Sequence, residues 1–175
     1  MKKALKTALR AWLAVFFAAV AISYLTQWTA KLFGIDLPEQ AQVELVRRCA
    51  GWNWGFALLL LQVLAVVPLL EEFLFRGLAW RLPLKIARCG GYAPALALAA
   101  LSSAVFSFAH YVDYRALVMN GAFVLTGWNS AFLALFFFGM AQCRLYRVTG
   151  SIWSAVLNHM LFNATNLVLL FVIPE

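Results

Sequence analysis

The chain has 175 residues, of which 65% are hydrophobic and only 12% are charged. This composition excludes a water-soluble domain, which would expose far too much apolar surface, and it predicts an integral membrane protein. The formal net charge of +7 does not indicate nucleic-acid binding, because the basic residues lie mostly in short segments between apolar runs.

Five apolar runs are long enough to cross about 30 Å of hydrocarbon as helices. They lie near residues 11–30, 53–75, 93–112, 117–141 and 152–173. No internal repeat is evident along the chain. We therefore predict an all-α fold, a polytopic membrane helix bundle of about five transmembrane helices, which forms a single membrane-embedded domain over residues 1–175.

The first run follows the basic start MKKALKTALR, a pattern that also fits a cleavable signal peptide. Its apolar character continues through Tyr24 to Trp28, which favours a retained helix. Between the first two runs, residues 36–48 combine mixed charge with aliphatic side chains. That pattern fits either a short interfacial helix or a solvated loop.

The basic residues also predict the orientation of the bundle, because cytoplasmic segments of membrane proteins are enriched in Lys and Arg. With the N-terminus in the cytoplasm, the basic residues that remain outside are only Lys31, Arg47, Arg48 and Arg115. We therefore expect the N-terminus to be cytoplasmic and the C-terminus to be outside.

The second run ends in LLEEFLFRG, which places three charges beside a long apolar stretch. Glu72 and Arg76 are four residues apart, so they share a helix face and are expected to form an ion pair, whereas Glu71 points to a neighbouring face. Pro68 removes a backbone donor and is expected to bend the helix. One interpretation is an ordinary cytoplasmic helix end; the other is a functional site, because charges inside a membrane are costly.

Both histidines of the chain lie in later apolar runs, and each has a candidate partner four residues away. Phe106 precedes His110, and Asn163 follows His159. Asparagine amides also serve as hydrogen-bonding contacts between membrane helices, which is the structural alternative for the last run. The conjunction of two intramembrane histidines with a glutamate that lacks an ion-pair partner is nevertheless hard to assign to packing alone.

These side chains together indicate hydrolysis. A carboxylate in a low-dielectric pocket can act as general base on a water molecule, and a neighbouring His can orient that water. A second His with an Asn four residues on can donate two hydrogen bonds to a developing oxyanion. Glu71, His110 and His159 would alternatively form a zinc site with an open position for water, although the helix pattern H-E-x-x-H is absent. The three cysteines predict neither a disulfide framework nor a zinc knuckle.

The depth of this site depends on where the second helix ends. If the third helix starts near Pro94 on the cytoplasmic side, His110 lies about 24 Å further along, towards the outer end. Glu71 reaches a similar depth either if the third helix starts deeper in the membrane or if the second helix continues well past Arg76 towards Arg81. We expect the second arrangement, with the site in the middle to outer half of the membrane.

The three motifs are Glu71-Glu72-x-x-x-Arg76, Phe106-x-x-x-His110 and His159-x-x-x-Asn163. In this order, and in separate apolar runs, they resemble the three motifs of the CPBP family, the CAAX proteases and bacteriocin-processing enzymes that are also called the Abi family. The resemblance spans a family core at about residues 57–166, and residues 1–50 form an N-terminal transmembrane helix plus an outer loop.

The resemblance implies a glutamate-type intramembrane endopeptidase. Carried over by position, Glu71 would be the general base with His110 beside the water, and His159 and Asn163 would form the oxyanion hole. The supporting residues would be Glu72, Arg76 and Phe106. No cofactor is implied, with zinc as the alternative.

The substrate implied is a membrane-anchored protein or peptide within the lipid bilayer, with no nucleic acid involved. Small bacterial relatives resemble processing enzymes, so we expect cleavage of C-terminal sorting tails in the bacterial cytoplasmic (inner) membrane. A non-enzymatic immunity or scaffold protein that retains the fold is the alternative from a different functional class.

Overall fold

A computed structural model describes residues 2–38, 41–51, 53–88 and 91–172 of the chain. These residues form seven helices in the order α1 Lys2–Leu32, α2 Ala41–Cys49, α3 Trp54–Ile86, α4 Tyr92–Ala109, α5 Tyr114–Asn120, α6 Ala131–Thr149 and α7 Ile152–Val172. The described residues contain no β-strand, only one isolated bridge between Val112 and Leu125. The prediction of an all-α fold is therefore confirmed.

Five of these helices, α1, α3, α4, α6 and α7, are long and apolar enough to cross a membrane. This number confirms the sequence prediction of about five transmembrane helices. The short helix α2 lies in the segment between the first two spans, where the sequence left a helix and a loop open. Its Arg48 pairs with Glu44 one turn earlier. Glu39, which belongs to the same segment, lies outside the described residues.

The fourth membrane helix differs from the sequence prediction of 117–141, because α6 covers Ala131–Thr149 instead. Gly121 adopts a left-handed φ of 64° just after α5, and the chain is not helical again until Ala131. The Asn129 side chain accepts hydrogen bonds from the Ala131 N–H, at 3.0 Å, and the Tyr111 hydroxyl, at 2.7 Å. The hydropathy of this run therefore placed the start of the helix too early, because hydropathy does not detect a break in the helical backbone.

Helix α3 continues past Arg76 and Arg81 to Ile86, as expected from the preferred of the two arrangements. It contains two π-helical stretches, Gln62–Val66 and Glu72–Arg81, on either side of the turn that carries Pro68 and Glu71. π-Helical turns are rare and frequently occur at functional sites. The wider π turn also accommodates a proline ring that would clash in a regular α-helix.

The helices pack around α6, which contacts both α1 and α4 extensively. The closest approach is at Gly139 on α6, where a Cβ atom would lie 2.8 Å from the Cβ of Ser103 on α4. Small residues let membrane helices approach in this way. Helix α1 is joined to α7 by two hydrogen bonds, from Trp12 Nε1 to Thr165 Oγ1 at 3.2 Å and from Asn158 Nδ2 to the Ala8 carbonyl at 3.1 Å.

Candidate active site

The three sequence motifs meet in the bundle, although they lie on different helices. Glu71 is on α3, His110 directly follows α4, and His159 is on α7. His110 Nε2 lies 3.9 Å from Glu71 Oε1, and His159 Nε2 lies 3.7 Å from Glu71 Oε2. Both imidazole rings therefore converge on the carboxylate of the one glutamate that the helix spacing left without an arginine partner.

Burial divides these groups into two layers. The side chains of Glu71 and His110 are 22% and 21% exposed, so small molecules can reach them. Those of His159, Glu72 and Arg76 are 5%, 0% and 1% exposed and are buried. The two adjacent glutamates are consequently in different environments: Glu71 faces an accessible space, and Glu72 faces the protein interior.

Hydrogen bonds at Nδ1 fix the orientation of both imidazole rings. His110 Nδ1 donates to the Phe106 carbonyl at 2.9 Å, and His159 Nδ1 donates to Glu72 Oε1 at 2.8 Å. In a neutral ring the other nitrogen, Nε2, is then an acceptor. Each ring therefore presents Nε2 to Glu71. The sequence could not predict which ring nitrogen faces this carboxylate.

Glu72 forms the predicted ion pair with Arg76, with Arg76 Nε 3.2 Å from Glu72 Oε2. Its contact with His159 was not predicted from the sequence, where the two residues are 87 positions apart. The Arg76 side chain also lies over an aromatic ring, with its guanidinium carbon 4.3 Å from the Phe106 centroid. Glu72 thus links the cation of α3 to the imidazole of α7.

Phe106 packs between the charged and the imidazole groups. Its side chain is fully buried, and its ring centroid lies 4.7 Å from that of His110 and 6.1 Å from that of His159. Phe138 also packs against His159, at 4.8 Å between centroids, and stacks on Phe106 at 6.1 Å. Sequence reasoning missed Phe138, because nothing distinguishes it from the neighbouring phenylalanines of α6.

Asn163 lies one turn after His159 on α7, and its Nδ2 donates a hydrogen bond to the Val63 carbonyl at 2.9 Å. Neither of the usual helical donors, four or five residues later, is available to that carbonyl. The Val67 N–H donates to Gln62, five residues earlier, and Pro68, which would be the π-helical partner of Val63, has no N–H. Asn163 therefore satisfies a carbonyl that Pro68 leaves open, and the second hydrogen of its amide is not used in this bond.

The spacing of these side chains differs from that around a bound zinc ion. Two ligands of a tetrahedral zinc ion are separated by about 3.3 Å when the bonds are 2.0–2.1 Å long, whereas the Glu71 oxygens lie 3.9 and 3.7 Å from the two Nε2 atoms. The described residues contain no group of three His, Cys, Asp or Glu side chains with the spacing of a metal site. The separation of Glu71 from His110 instead allows one water molecule to hydrogen-bond to both.

The comparisons with known proteins identify a family. The family model described as type II CAAX prenyl endopeptidase Rce1-like matches residues 53–165, which include all three motifs. No curated protein and no solved structure gives a significant match. The family match and the five membrane-capable helices describe an integral, multi-pass membrane protein. Since the family model covers more than half of the chain, this protein belongs to the type II CAAX prenyl endopeptidase Rce1-like family, a family of CAAX-type proteases.

Proposed function

We propose that this protein is a glutamate-type intramembrane endopeptidase in which Glu71 activates a water molecule. The observation that carries the proposal is the convergence of His110 Nε2 and His159 Nε2 on the two oxygens of a partly exposed Glu71 carboxylate, at 3.9 and 3.7 Å. A base must lie within reach of the proton that it removes, directly or through one water, and Glu71 is the accessible acid of the pair.

In the first step, a water molecule hydrogen-bonded to Glu71 and to His110 Nε2 attacks the carbonyl carbon of the scissile bond. Glu71 takes one proton from this water as its oxygen bonds to the carbon. Because His110 Nδ1 donates to the Phe106 carbonyl, the Nε2 atom of the neutral ring accepts a hydrogen bond from the water. When the C–N bond breaks, the protonated Glu71 returns the proton to the leaving amine.

The oxyanion of the tetrahedral intermediate is stabilised by His159 and Asn163. Donation through His159 Nε2 requires a ring that is protonated on both nitrogens, and the Glu72 carboxylate next to Nδ1 compensates the resulting charge. Asn163 contributes the amide hydrogen that the Val63 carbonyl does not use. Such preorganised donors typically contribute about 10²–10³ in kcat each.

Glu72, Arg76 and Phe106 support this arrangement and do not act on the substrate. Glu72 and Arg76 hold His159 through a buried ion pair, and Phe106 separates the imidazoles from the guanidinium. Of the groups assigned to the reaction, Glu71 and His110 are partly exposed, whereas His159, at 5%, is nearly as buried as the supporting residues.

The substrate in this proposal is a membrane-associated protein or peptide, and we expect the C-terminal sorting tails of bacterial surface proteins to be the class that is cut. The partly exposed Glu71 lies on, and His110 directly follows, a helix that is long and apolar enough to cross a membrane. A peptide bond at or near the membrane can therefore reach them. The bacterial cytoplasmic membrane is the corresponding location.

The test is mass spectrometry of membrane-protein C-termini in cells that carry the wild type, Glu71→Gln or Glu44→Gln. Glu44→Gln is the matched control, because Glu44 is an exposed acid on α2. A C-terminus that is present with the wild type and the control, and absent with Glu71→Gln at equal expression, supports the proposal and names the scissile bond. Cleavage that persists in the Glu71→Gln cells contradicts it.

Two further measurements address the alternatives. Elemental analysis of active purified protein tests the zinc hypothesis, in which one metal ion per chain is required for activity. For a non-enzymatic immunity or scaffold protein, Glu71→Gln and His110→Gln would leave the biological phenotype intact. Loss of the phenotype together with loss of cleavage supports the protease.

A further inference from the structure

A cavity that is separate from Glu71 and the histidines lies where the end of α3, the start of α4 and the end of α6 meet. Its volume is about 720 Å³, which is within the range of small-molecule sites. The apolar part of its wall includes Trp80, Leu96 and Met140, and its basic part consists of Arg144 and Arg147. The cavity is therefore amphipathic.

The apolar wall is fixed by packing. Trp80 is 2% exposed, and its indole N–H donates to the Ala95 carbonyl at 2.9 Å, so its polar atom is satisfied and the residue forms a fixed part of the wall. Leu96 is 43% exposed on the outer side of α4, a helix that is apolar enough to face lipid. A hydrocarbon chain can therefore enter from the membrane.

The basic wall carries charge without a counter-ion. Arg144 and Arg147 are exposed, and neither has a carboxylate partner in the part of the chain that the structure describes. Arg147 lies over the Tyr92 ring, with 5.4 Å from its guanidinium carbon to the ring centroid, which orients this side chain at the cavity.

The described acidic residues outside the catalytic site are at the opposite ends of these helices. Asp36 and Glu44 precede α3, whose C-terminal part reaches the cavity, and Asp113 follows α4, whose N-terminal part lines it. The end of the bundle that contains the cavity thus attracts an anion. Guanidinium groups bind phosphate through paired hydrogen bonds, which makes arginine well suited to this ligand.

From this combination we infer that the cavity is a binding site for an anionic phospholipid, whose phosphate lies against Arg144 and Arg147 and whose acyl chain lies along Leu96 and Met140. A free phosphate would leave the apolar wall unused, and an uncharged chain would leave the two arginines unpaired. The lipid site does not depend on the proposed proteolysis, because none of these residues contacts Glu71 or the histidines.

Native mass spectrometry of the full chain in detergent, with added phosphatidylglycerol or phosphatidylcholine of the same acyl chains, tests this inference. Each basic residue near an anionic lipid surface contributes about 1 kcal/mol, so Arg144→Gln/Arg147→Gln should bind phosphatidylglycerol about 30-fold more weakly. Binding of phosphatidylcholine should not change. Arg144→Lys/Arg147→Lys should retain most of the preference, since it keeps both charges.

The matched control is Arg81→Gln/Lys85→Gln, which removes the same charge from the end of α3 without altering the cavity wall. Equal weakening by this control would show a diffuse surface field and would overturn the inference. Glycerol phosphate that binds as tightly as phosphatidylglycerol would assign the site to a free anion. An uncharged isoprenoid alcohol that displaces the lipid, and that binds the wild type and the arginine variants equally well, would assign the cavity to a substrate chain. Tight binding of glycerol phosphate or displacement by this alcohol would each overturn the inference of a phospholipid site.

A melting experiment provides a second measurement. Phosphatidylglycerol that binds only the folded state raises the melting temperature of the wild type. The same lipid should give the Arg144→Gln/Arg147→Gln protein no larger rise than phosphatidylcholine gives. An equal rise in both proteins would contradict the site.

Discussion

Replacement of Glu72 by glutamine should destabilise the fold, whereas the same replacement at Glu71 should not. Glu72→Gln keeps the shape of the side chain and an oxygen that accepts from His159 Nδ1, but it removes the negative charge next to Arg76. Arg76 then remains as a cation whose side chain is 1% exposed, with aromatic rings among its neighbours. The change thus isolates the charge of one buried pair.

The magnitude follows from the burial of that pair. Removal of one partner of a buried ion pair typically costs about 3–5 kcal/mol, because the other charge is left without compensation. For a chain of this size the melting temperature should fall by about 6–20 °C. Glu71 is 22% exposed, and its oxygens lie 3.7 Å or more from the histidine nitrogens. Its replacement should therefore cost less than about 1 kcal/mol.

The assay is thermal unfolding of the purified protein in detergent, followed by the fluorescence of its seven tryptophans. Both glutamine variants should lose cleavage, but only Glu72→Gln should lose stability. The double variant Glu72→Gln/Arg76→Gln, which has no buried charge at this position, should recover at least part of the melting temperature. A Glu72→Gln protein that melts within about 2 °C of the wild type would refute the reasoning.

Two further substitutions probe helix contacts. Gly139→Ala should lower the free energy of unfolding by about 1–3 kcal/mol, because the added Cβ would lie 2.8 Å from Ser103 Cβ and Oγ. In thermal unfolding, adding Ser103→Gly to this variant should restore part of the loss. Adding Ser103→Ala, which keeps the Cβ, should not. Asn163→Ala should lower stability by about 1–3 kcal/mol, because it leaves the Val63 carbonyl unpaired. Adding Pro68→Ala to Asn163→Ala should raise the melting temperature again, because it supplies a backbone N–H for the Val63 carbonyl. It should not restore cleavage. If the double variant is no more stable than Asn163→Ala alone, Pro68 does not leave the Val63 carbonyl open.

Much of the candidate site could be predicted from the sequence because charged and imidazole groups are rare in apolar runs. Glu71, His110 and His159 stand out for that reason, and the structure brings all three together. Their catalytic roles remain predictions. The ion pair of Glu72 with Arg76 was predictable as well, since a spacing of four residues fixes neighbours on a helix regardless of the rest of the fold.

The start of α6 could not be predicted in the same way. Residues 117–130 contain many apolar side chains and run directly into α6, but Gly121 and the capping contact of Asn129 interrupt the helix there. The cap depends on the Tyr111 hydroxyl, which comes from the segment after α4. Such a break is a property of two chain segments together and leaves little trace in hydropathy.

The sequence by itself determined the membrane class, the all-helical fold, the number of spans and the side chains of the candidate site. These properties follow from hydropathy and from local helix geometry, which act over a few residues. Only the tertiary structure decided that Glu72 holds His159, that Asn163 completes the hydrogen bonding of Val63, and that Arg144 and Arg147 line a cavity. Those contacts depend on how each helix is rotated against its neighbours, and that rotation is set by the packing of side chains across the whole bundle.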